Sequence, residues 1–600
     1  MHDYRSYRAD RRFQPYVAMS PDGTEVAYSD DRSGQFNLVV TPLAGGPDRL
    51  VTNFDDVTVR EAVWAPDGRH LIFVADKNGD ELYQLYRVAA EGGPIEALTD
   101  NDKVQYLLGT VSPDGRYLAY AGNDRDEAAQ DVLVQDLVTG ELHRPYSDGG
   151  NMFAAAWASD SRRLLGVRYS GPTQGALFLL DLDGKPEQLL PPPGEPEFQV
   201  EPGPWLPDGS GFLVRTDVDR EFVGVARYDL ATRELHWLLT PDWDVEHVDL
   251  SVDGRLIVWT VNASGVSELH AAEYASLGAN VELPTLGVPA GPISALSINR
   301  AGTAAALIMS TGSRPTNVAT VDLVAGSSSW VTDAWATAKG SVEPTLVHVT
   351  AYDGRQIPAW LYRPEGDGPH PIVLSVHGGP EGQERPGYNY AGLYQYLLSR
   401  GIGVVAPNVR GSTGYGREYQ RLIMRDWGGD DLRDFEAVAV YARALDWVDP
   451  AGLGVFGASY GGFVVLSCLS RLPQLFACGV DMMGPSSLVT LTSSVPPTWR
   501  SMMAARIGDP ETEADFLMSR SPITYVDQIV APLFVIQGAK DPRVRKAESD
   551  GIVAALRNRG VDVRYDVYED EGHGFTRPEN EAKALGDAAD FFITHLRGAG

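Results

Sequence analysis

The sequence Gly-Ala-Ser-Tyr-Gly-Gly at residues 457–462 is the strongest indication of the fold of the second half of the chain. An apolar run with strand character, residues 453–456, precedes it, and residues 463–469 can continue as a buried helix. A Gly-x-Ser-x-Gly pattern on a strand-to-helix turn is a nucleophile elbow, a turn too tight for flanking side chains that exposes its serine. The pattern therefore predicts Ser459 as a nucleophile at the carboxyl end of a strand, where sites form in open α/β sheets.

The rest of this half has the alternation that such a sheet requires. Apolar strands alternate with helical stretches, which predicts a mostly parallel, doubly wound α/β sheet. The predicted strands are residues 372–376, 403–406, 453–456, 478–480 and 533–536. Two of the helices between them are predicted at residues 431–448 and 547–559. A β-hairpin is expected to open this half, pairing residues 346–349 with 357–362 across Asp353-Gly354.

The first half is built from a repeat. A tetrad of the type Ser-Pro-Asp-Gly, degenerate in its later copies, has its third residue at positions 22, 67, 114, 160, 208, 253 and 301, a period of 45–48 residues. Four short strands per period of this length are typical of a β-propeller blade, so seven copies predict seven blades. The alternative, an irregular pair of β-sandwiches, does not explain the constant spacing. Each turn aspartate is expected to cap backbone amides, because one carboxylate per blade makes no metal cage.

These patterns predict the domain boundaries. The repeat of about 45 residues ends after Asp333. In addition, six hundred residues are too many for a single hydrophobic core, so at least two domains are expected. We expect an all-β propeller over residues 1–335, with a short N-terminal extension at 1–12, a linker at 336–345, and the catalytic domain at 346–600.

Composition excludes several functions. A formal net charge of −31 argues against nucleic acid as a partner, because a phosphate backbone would be repelled. The only cysteines, Cys468 and Cys478, lie in apolar segments and make no disulfide framework, which favours a reducing compartment. The N-terminus has no apolar signal region, and no run approaches the roughly 18 apolar residues of a membrane span. The sequence therefore predicts a cytoplasmic protein without a membrane partner.

A serine nucleophile needs a base and an acid that orients the base. In α/β-hydrolases they follow the serine in the order acid, then histidine. His573 lies between two glycines on a loop after a strand-like run, where it is free to reach the serine. Asp541 comes directly after the predicted strand 533–536 and its loop, which favours it as the acid. On spacing alone, three other acids are candidates: Asp550, Asp566 and Asp570.

Acyl transfer also needs donors for the developing oxyanion. One is expected to be the backbone N–H of Tyr460, the residue after the nucleophile. The second is expected in the His-Gly-Gly-Pro stretch at 377–380, where the amide of Gly379 can approach a substrate closely because no side chain intervenes. His377 is expected to support that loop rather than to act as a base.

Four stretches together carry a family resemblance: residues 457–462, residues 377–380, the run Asn-Val-Arg-Gly-Ser-Thr-Gly-Tyr-Gly at 408–416, and the loop around His573. They resemble the prolyl oligopeptidase family of serine peptidases, in particular its acylaminoacyl-peptidase-like branch. The resemblance covers the whole chain, since this family joins an N-terminal seven-bladed propeller to a C-terminal α/β-hydrolase.

The resemblance also implies roles. It makes Ser459 the nucleophile, His573 the base and Asp541 its orienting acid, with Gly379 and Tyr460 as oxyanion donors. Tyr415 stands where some members use a tyrosine hydroxyl as a donor, whereas in the acylaminoacyl-like branch the two amides suffice. It further implies an acyl-enzyme, no metal or cofactor, and a propeller that restricts the site to short, unfolded peptides. Members differ in oligomeric state, so a homo-oligomer is one option.

Specificity is less well marked. Met482 and Trp499 lie in apolar stretches that are candidates for a side-chain pocket, although core packing explains the methionine equally well. An enzyme that binds a free amino terminus needs paired acids in its cleft, and one that binds a free carboxylate needs an arginine. Three arginines are available for the second role: Arg500, Arg506 and Arg543.

The sequence therefore leaves three candidate functions, which we give in the order in which it favours them. The first is a serine peptidase that cleaves short peptides, N-acylated ones among them. The second is a carboxylesterase or amidase that uses the same three side chains on small molecules. The third is a non-catalytic propeller scaffold, which predicts a broken triad, whereas all its members and both oxyanion loops are present.

Overall fold

The computed structural model describes residues 3–278, 285–337 and 343–597. These ranges contain an N-terminal ring of small antiparallel sheets and a C-terminal eight-stranded sheet covered by helices. The predicted linker at 336–345 includes residues 338–342, which lie outside the described residues. No helix in the described ranges has both the length and the apolar character needed to cross a membrane.

Seven sheets form the propeller, which confirms the prediction from the repeat. The first three blades are β1 (Ala18–Met19), β2 (Glu25–Asp30), β3 (Asn37–Pro42) and β4 (Arg49–Leu50); β5 (Val57–Trp64), β6 (His70–Lys77), β7 (Gln84–Ala89) and β8 (Glu96–Ala97); and β9 (Tyr106–Val111), β10 (Tyr117–Gly122), β11 (Asp131–Asp136) and β12 (Leu142–Tyr146). The next two are β13 (Asn151–Trp157), β14 (Arg163–Gly171), β15 (Gln174–Asp181) and β16 (Glu187–Leu190); and β17 (Val200–Trp205), β18 (Gly211–Thr216), β19 (Gly224–Asp229) and β20 (Glu234–Leu239). The last two are β21 (Val245–Leu250), β22 (Leu256–Ala263) and β23 (Val266–Glu273); and β24 (Ile293–Ile298), β25 (Ala304–Met309), β26 (Asn317–Asp322) and β27 (Ser327–Trp330).

The repeated tetrad forms the turn between the first two strands of a blade. In the first blade Asp22 Oδ1 accepts a hydrogen bond from Thr24 N (3.0 Å) and one from Ser20 Oγ (2.7 Å). The following Gly23 has φ +75°, a conformation that glycine adopts without strain. These hydrogen bonds, above all that from Ser20, lower the pKa of Asp22. The carboxylate therefore caps the turn.

Tryptophans tie neighbouring blades together and a serine closes the ring. The indole N–H groups of Trp64, Trp157 and Trp205 each donate to a backbone carbonyl of the preceding blade, at 3.0 Å in all three cases. Between the first and last blades, Met19 N donates to Ser297 Oγ (3.1 Å). The seven blades therefore form one continuous structure that can frame a site.

The second half is one sheet in the order β28-β29-β31-β30-β32-β33-β34-β35. Its strands are β28 (Thr345–Thr350), β29 (Gln356–Tyr362), β30 (His370–Val376), β31 (Gly403–Pro407), β32 (Val448–Ala458), β33 (Cys478–Met482), β34 (Leu533–Gly538) and β35 (Val563–Tyr568). The pairs β28–β29 and β29–β31 are antiparallel, and the other pairs are parallel. The predicted opening hairpin and the mostly parallel sheet are confirmed.

Nine α-helices accompany the sheet in the described ranges: α1 (Leu393–Ser399), α2 (Arg417–Arg421), α3 (Asp430–Arg443), α4 (Tyr460–Arg471), α5 (Leu488–Ser494), α6 (Arg500–Arg506), α7 (Ala514–Arg520), α8 (Lys546–Asn558) and α9 (Pro578–Arg597). Apolar residues of α3, α4 and α8 join the core on one face, and those of α1 and α9 join the core on the other. The helix expected at 431–448 ends at Arg443, because Val448 already pairs with His370 as the first residue of β32.

The N-terminal segment packs against the hydrolase half. The rings of Tyr4 and Tyr7 lie 5.8 and 5.5 Å from that of Tyr396 on α1. Arg12 donates to Glu581 on α9 (2.6 Å) and to Asp31 in the first blade (2.7 Å). The segment therefore joins both halves of the chain.

Candidate active site

Ser459 occupies a strained elbow between β32 and α4. Its φ of +58° and ψ of −120° are unusual for a residue with a side chain, and its backbone N–H donates to Met482 O (2.9 Å). A side chain at Gly457 would collide with the backbone of Gly461, and one at Gly461 with the carbonyl of Val376. Only glycines allow this turn, which lifts the hydroxyl above the sheet.

Three side chains from three different loops meet at the elbow. Nε2 of His573 lies 3.0 Å from Ser459 Oγ, and Nδ1 lies 2.7 Å from Asp541 Oδ2. The other oxygen of Asp541 accepts the backbone N–H groups of Arg543 (2.8 Å) and Val544 (2.9 Å). Because a carboxylate can only accept, Nδ1 carries the proton and Nε2 is left to receive one from the serine.

The other three candidate acids have different partners. Asp550 binds Lys546 and the Tyr565 hydroxyl. Asp566 pairs with Arg564, and Asp570 pairs with Arg577 on the carboxyl side of the histidine loop. Among the four, only Asp541 lies against the imidazole.

The loop that carries His573 is held by a buried carboxylate that sequence reasoning missed. Glu571 accepts hydrogen bonds from Thr576 N (2.7 Å), Thr576 Oγ1 (2.8 Å), Arg577 N (3.1 Å) and Asn580 Nδ2 (2.8 Å). On its outer side, Gly572 lies against Gly79 of the propeller so closely that a β-carbon would strike the Gly79 carbonyl. The position of the imidazole therefore depends on both halves of the chain.

The loop at 377–380 lies beside the nucleophile. A β-carbon on Gly378 would lie 3.7 Å from Ser459 Cβ. Nδ1 of His377 donates to Gly378 O (2.8 Å), and Nε2 lies 3.0 Å from Ser412 Oγ. Burial lowers the pKa of His377, which keeps it neutral. Since Gly378 O and the N–H of Gly379 belong to one peptide plane and point in opposite directions, this bond sets the direction of that N–H.

Tyr460 begins α4 and is locked by a buried acid. Its hydroxyl donates to Asp431 Oδ2 (2.6 Å), and its ring meets Trp427 edge-on at 4.9 Å. Burial raises the pKa of Asp431 to about 6, although the Tyr460 hydroxyl and two backbone N–H groups offset part of that rise. The amide of Tyr460 therefore belongs to a rigid first helical turn.

A cavity of about 560 Å³ lies over these groups, between the propeller and the hydrolase half. Ser459, Tyr460, Gly379 and His573 line its floor. One wall is apolar and consists of Trp427, Leu491, Val495, Trp499, Met502 and Met503. The opposite wall comes from the propeller and is polar, with Gln199, Arg215, Asp244, Glu246 and Asn262.

Three of the predicted site residues lie outside this lining: Asp541, which contacts the far side of the His573 ring, Met482 and Tyr415. Met482 is buried in the core between the sheet and α1 and α9, whereas Trp499 lines the cavity. The hydroxyl of Tyr415 accepts a hydrogen bond from Asn408 Nδ2 (2.9 Å), and its ring meets Trp243 and Tyr419.

The arginines near the site are occupied. Arg506 pairs with Glu381, and Arg543 pairs with Glu81 of the propeller (2.7 Å). Arg500 is exposed and does not line the cavity. Arg215, the third arginine of the cavity lining, donates to the backbone carbonyls of Val245 (3.2 Å) and Glu246 and lies 3.9 Å from Glu201.

Fold and site together define a serine hydrolase of the α/β type with a propeller over its active site. A model of the prolyl oligopeptidase family matches residues 389–599, and a model of the TolB beta propeller domain matches residues 13–195. The chain is 31% identical to dipeptidyl aminopeptidase BIII of Pseudoxanthomonas mexicana over 97% of this chain and 86% of that protein.

Solved structures give the same fold over the whole chain. A puromycin hydrolase superposes with a TM-score of 0.84 at 23% identity, covering 98% of this chain and 95% of that one. The acylaminoacyl peptidase of Pyrococcus horikoshii superposes with a TM-score of 0.74 at 18% identity, covering 100% and 98%. The chain belongs to the prolyl oligopeptidase family and is a serine peptidase, as its sequence motifs predicted.

Proposed function

We propose that this peptidase removes short amino-terminal pieces, dipeptides foremost, from peptides whose α-amino group is free. Ser459, His573 and Asp541 form its catalytic triad, and the N–H groups of Gly379 and Tyr460 form its oxyanion hole. The proposal adds a substrate class and residue roles to the family's peptidase activity.

The hydrogen-bonded geometry supports the following reaction. Ser459 Oγ attacks the carbonyl carbon while its proton passes to His573 Nε2, and Asp541 stabilises the imidazolium. The carbonyl oxygen becomes negatively charged and accepts hydrogen bonds from the backbone N–H groups of Gly379 and Tyr460. His573 then protonates the leaving amine as the C–N bond breaks. In the second half of the reaction His573 takes a proton from water while the water oxygen attacks the acyl carbon, and it returns that proton to Ser459 Oγ as the ester bond breaks.

Asp244 is the observation that carries the substrate class. It lines the propeller wall of the cavity and accepts a hydrogen bond from Val223 N (2.8 Å), but it makes no ion pair with a described residue. Burial, followed by the negative charges of Glu246, Asp217 and Glu221, raises its pKa to about 6. An α-ammonium group beside Asp244 would relieve this repulsion, so Asp244 favours a cationic amino terminus.

The apolar wall supports a hydrophobic side chain next to the scissile bond. Leu491, Val495 and Met503 are buried there, and Trp427 and Trp499 add aromatic surface. A cavity of about 560 Å³ is in the size range of small-ligand sites and suits a few residues rather than a folded chain.

The experiment compares p-nitroanilides of a free dipeptide such as Ala-Phe, its N-acetylated form, free Phe alone, and a p-nitrophenyl ester. We expect the free dipeptide to have the highest kcat/KM and Ser459→Ala to abolish turnover of all four. Asp244→Asn should lower kcat/KM at least tenfold for the free dipeptide and change the acetylated one little. Asp242→Asn, an exposed residue of the same segment, is the matched control.

An acetylated substrate cleaved as well as the free one would contradict the substrate class. Turnover that survives in Ser459→Ala would contradict the triad. Cytoplasmic location, a homo-oligomer, and the exclusion of nucleic acid and membrane as partners stay predictions from the sequence.

A further inference from the structure

Arg506 connects the apolar wall of the cavity to the loop beside the nucleophile. It is the last residue of α6, and its Nη2 donates to Gly379 O (2.7 Å). Its Nε donates to Glu381 Oε1 (2.7 Å), and the two side chains are only 12% and 8% exposed. A largely buried ion pair thus binds the backbone carbonyl of the residue assigned above as an oxyanion donor.

We propose that Arg506 is a positioning residue of the oxyanion hole, held in place by Glu381 and acting through the carbonyl of Gly379. The inference rests on the proposed role of the Gly379 N–H. It deepens that assignment by naming the group that fixes the donor.

Gly379 needs such a constraint. Its φ is +120°, in the region that favours glycine, and a β-carbon would come within 2.6 Å of Glu381 N. Glycine therefore has to stand here, and its backbone is the freest of all residues. A donor that can swing away from the oxyanion stabilises the transition state less.

The two peptide planes that meet at Gly379 are held by different side chains. His377 binds the carbonyl of the preceding plane, which includes the Gly379 N–H, as described above. Arg506 binds the carbonyl of the following plane. With both planes anchored, φ and ψ of Gly379 are fixed, and the N–H keeps its direction throughout the reaction.

The contacts of the pair favour positioning over substrate recognition. The guanidinium is directed to Glu381 and to Gly379 O, and its Cζ lies 5.3 Å from the ring centroid of Trp427. The Glu381 carboxylate is likewise occupied by Arg506. Inside a protein such charge-assisted hydrogen bonds are strong and directional, which suits a fixed support.

Two variants distinguish the loss of the contact between Arg506 and the Gly379 carbonyl from a loss of folding. Arg506→Lys keeps the charge, but a single ammonium group cannot reproduce the fork that binds both partners. The double variant Arg506→Met with Glu381→Gln removes the pair without leaving one charge buried alone. Arg500→Lys, on the exposed side of the same helix, is the matched control.

Steady-state kinetics give kcat and KM for three substrates. These are the free dipeptidyl anilide, a second dipeptidyl anilide with another side chain before the scissile bond, and the ester. Active sites are counted by complete titration with a fluorophosphonate. Inhibition by a peptide aldehyde, whose adduct carries the oxyanion, is compared with inhibition by the product dipeptide. Since loss of a whole donor costs about 10²–10³ in kcat, we expect the double variant to lose roughly ten- to hundredfold in kcat per titrated site.

The loss in kcat should be the same for all three substrates, and KM should stay within about threefold of its wild-type value. Inhibition by the aldehyde should weaken by the same factor as kcat, whereas inhibition by the product dipeptide should not change. Arg506→Lys should fall between wild type and the double variant. An unchanged kcat per titrated site would overturn the proposal, as would a change confined to KM or to one substrate side chain. Wild type that turns over none of the substrates would instead refute the proposed function.

Discussion

Oδ2 of Asp541 lies 2.7 Å from Nδ1 of His573, while Oδ1 of the same carboxylate is held by two backbone N–H groups. Each oxygen therefore has a distinct task. One keeps the loop after β34 in place, and the other keeps the imidazole in the tautomer that can accept a proton from Ser459.

Asp541→Asn tests this division. The amide oxygen should stay with the backbone N–H groups of Arg543 and Val544, which leaves the NH₂ group facing Nδ1 of the imidazole. Nδ1 must then accept, so Nε2 carries the proton and cannot take another from Ser459. We expect kcat to fall by about 10⁴ with little change in the melting temperature.

The measurement is kcat on the free dipeptidyl anilide with a thermal unfolding curve of the same sample. Asp550→Asn, which changes another acid downstream of β34, is the control and should keep its activity. A loss in Asp541→Asn of less than tenfold would assign the orienting role elsewhere.

Tyr415→Phe tests whether a third donor contributes. The hydroxyl binds Asn408, and the residue is not part of the cavity lining, so the two amides should suffice. We expect kcat to change by no more than about threefold, against the 10²–10³ that an oxyanion donor is worth. A loss of thirtyfold or more in kcat with unchanged KM would show that the hydroxyl reaches the oxyanion during the reaction.

Gly572→Ala tests the contact between the propeller and the histidine loop. The added methyl group would strike the carbonyl of Gly79, so either the loop or the blade must move. Because a displacement near 1 Å can cost about 10² in rate, we expect kcat to fall by roughly that factor.

The control is Gly551→Ala on α8, where a β-carbon meets open space. It should keep full activity and gain up to about 1 kcal/mol in the free energy of unfolding, because alanine is the better helix former. Full activity in Gly572→Ala would mean that the two loops separate freely and that the contact does not position His573.

Local patterns made much of this site predictable. The elbow at 457–462 is recognisable because its geometry requires glycines at fixed spacing, and the blades because each copy repeats the same turn chemistry. His573 and Asp541 could be selected because each follows a strand, and parallel strands bring their carboxyl ends to one edge.

The supporting contacts could not be predicted. Packing between segments more than a hundred residues apart creates the hydrogen bond from Arg506 to Gly379 O. The same kind of packing places the acids of the propeller wall at the cavity. Glu571 and Asp431 differ from surface acids only by burial, which one sequence does not reveal. The helix expected to reach residue 448 was too long because residues 444–447 keep a helical composition, whereas the pairing of Val448 with His370 starts a strand.

Asp481 gives the pH-dependent prediction. It lies on β33 behind the elbow, fully buried against Gly462 and Gly484. Oδ1 accepts a hydrogen bond from Gly484 N (2.9 Å), and Oδ2 has no hydrogen-bond partner among the described residues. Burial raises the pKa of Asp481 from 3.8 to about 8. The folded protein therefore keeps this proton over a range in which the unfolded chain has released it.

A raised carboxyl pKa means that stability is highest at low pH and is lost as the pH rises toward the folded pKa. Asn cannot ionise and keeps the acceptor for Gly484 N. We therefore compare the free energies of unfolding of the two proteins as the value for Asp481→Asn minus the value for wild type. This difference should increase by up to about 1.4 kcal/mol per pH unit between about pH 4 and pH 8, and then level off. Urea unfolding at several pH values measures this difference, and Asp590→Asn on the exposed side of α9 is the control. A difference that stays flat over this range would mean that Asp481 is ionised in the folded protein.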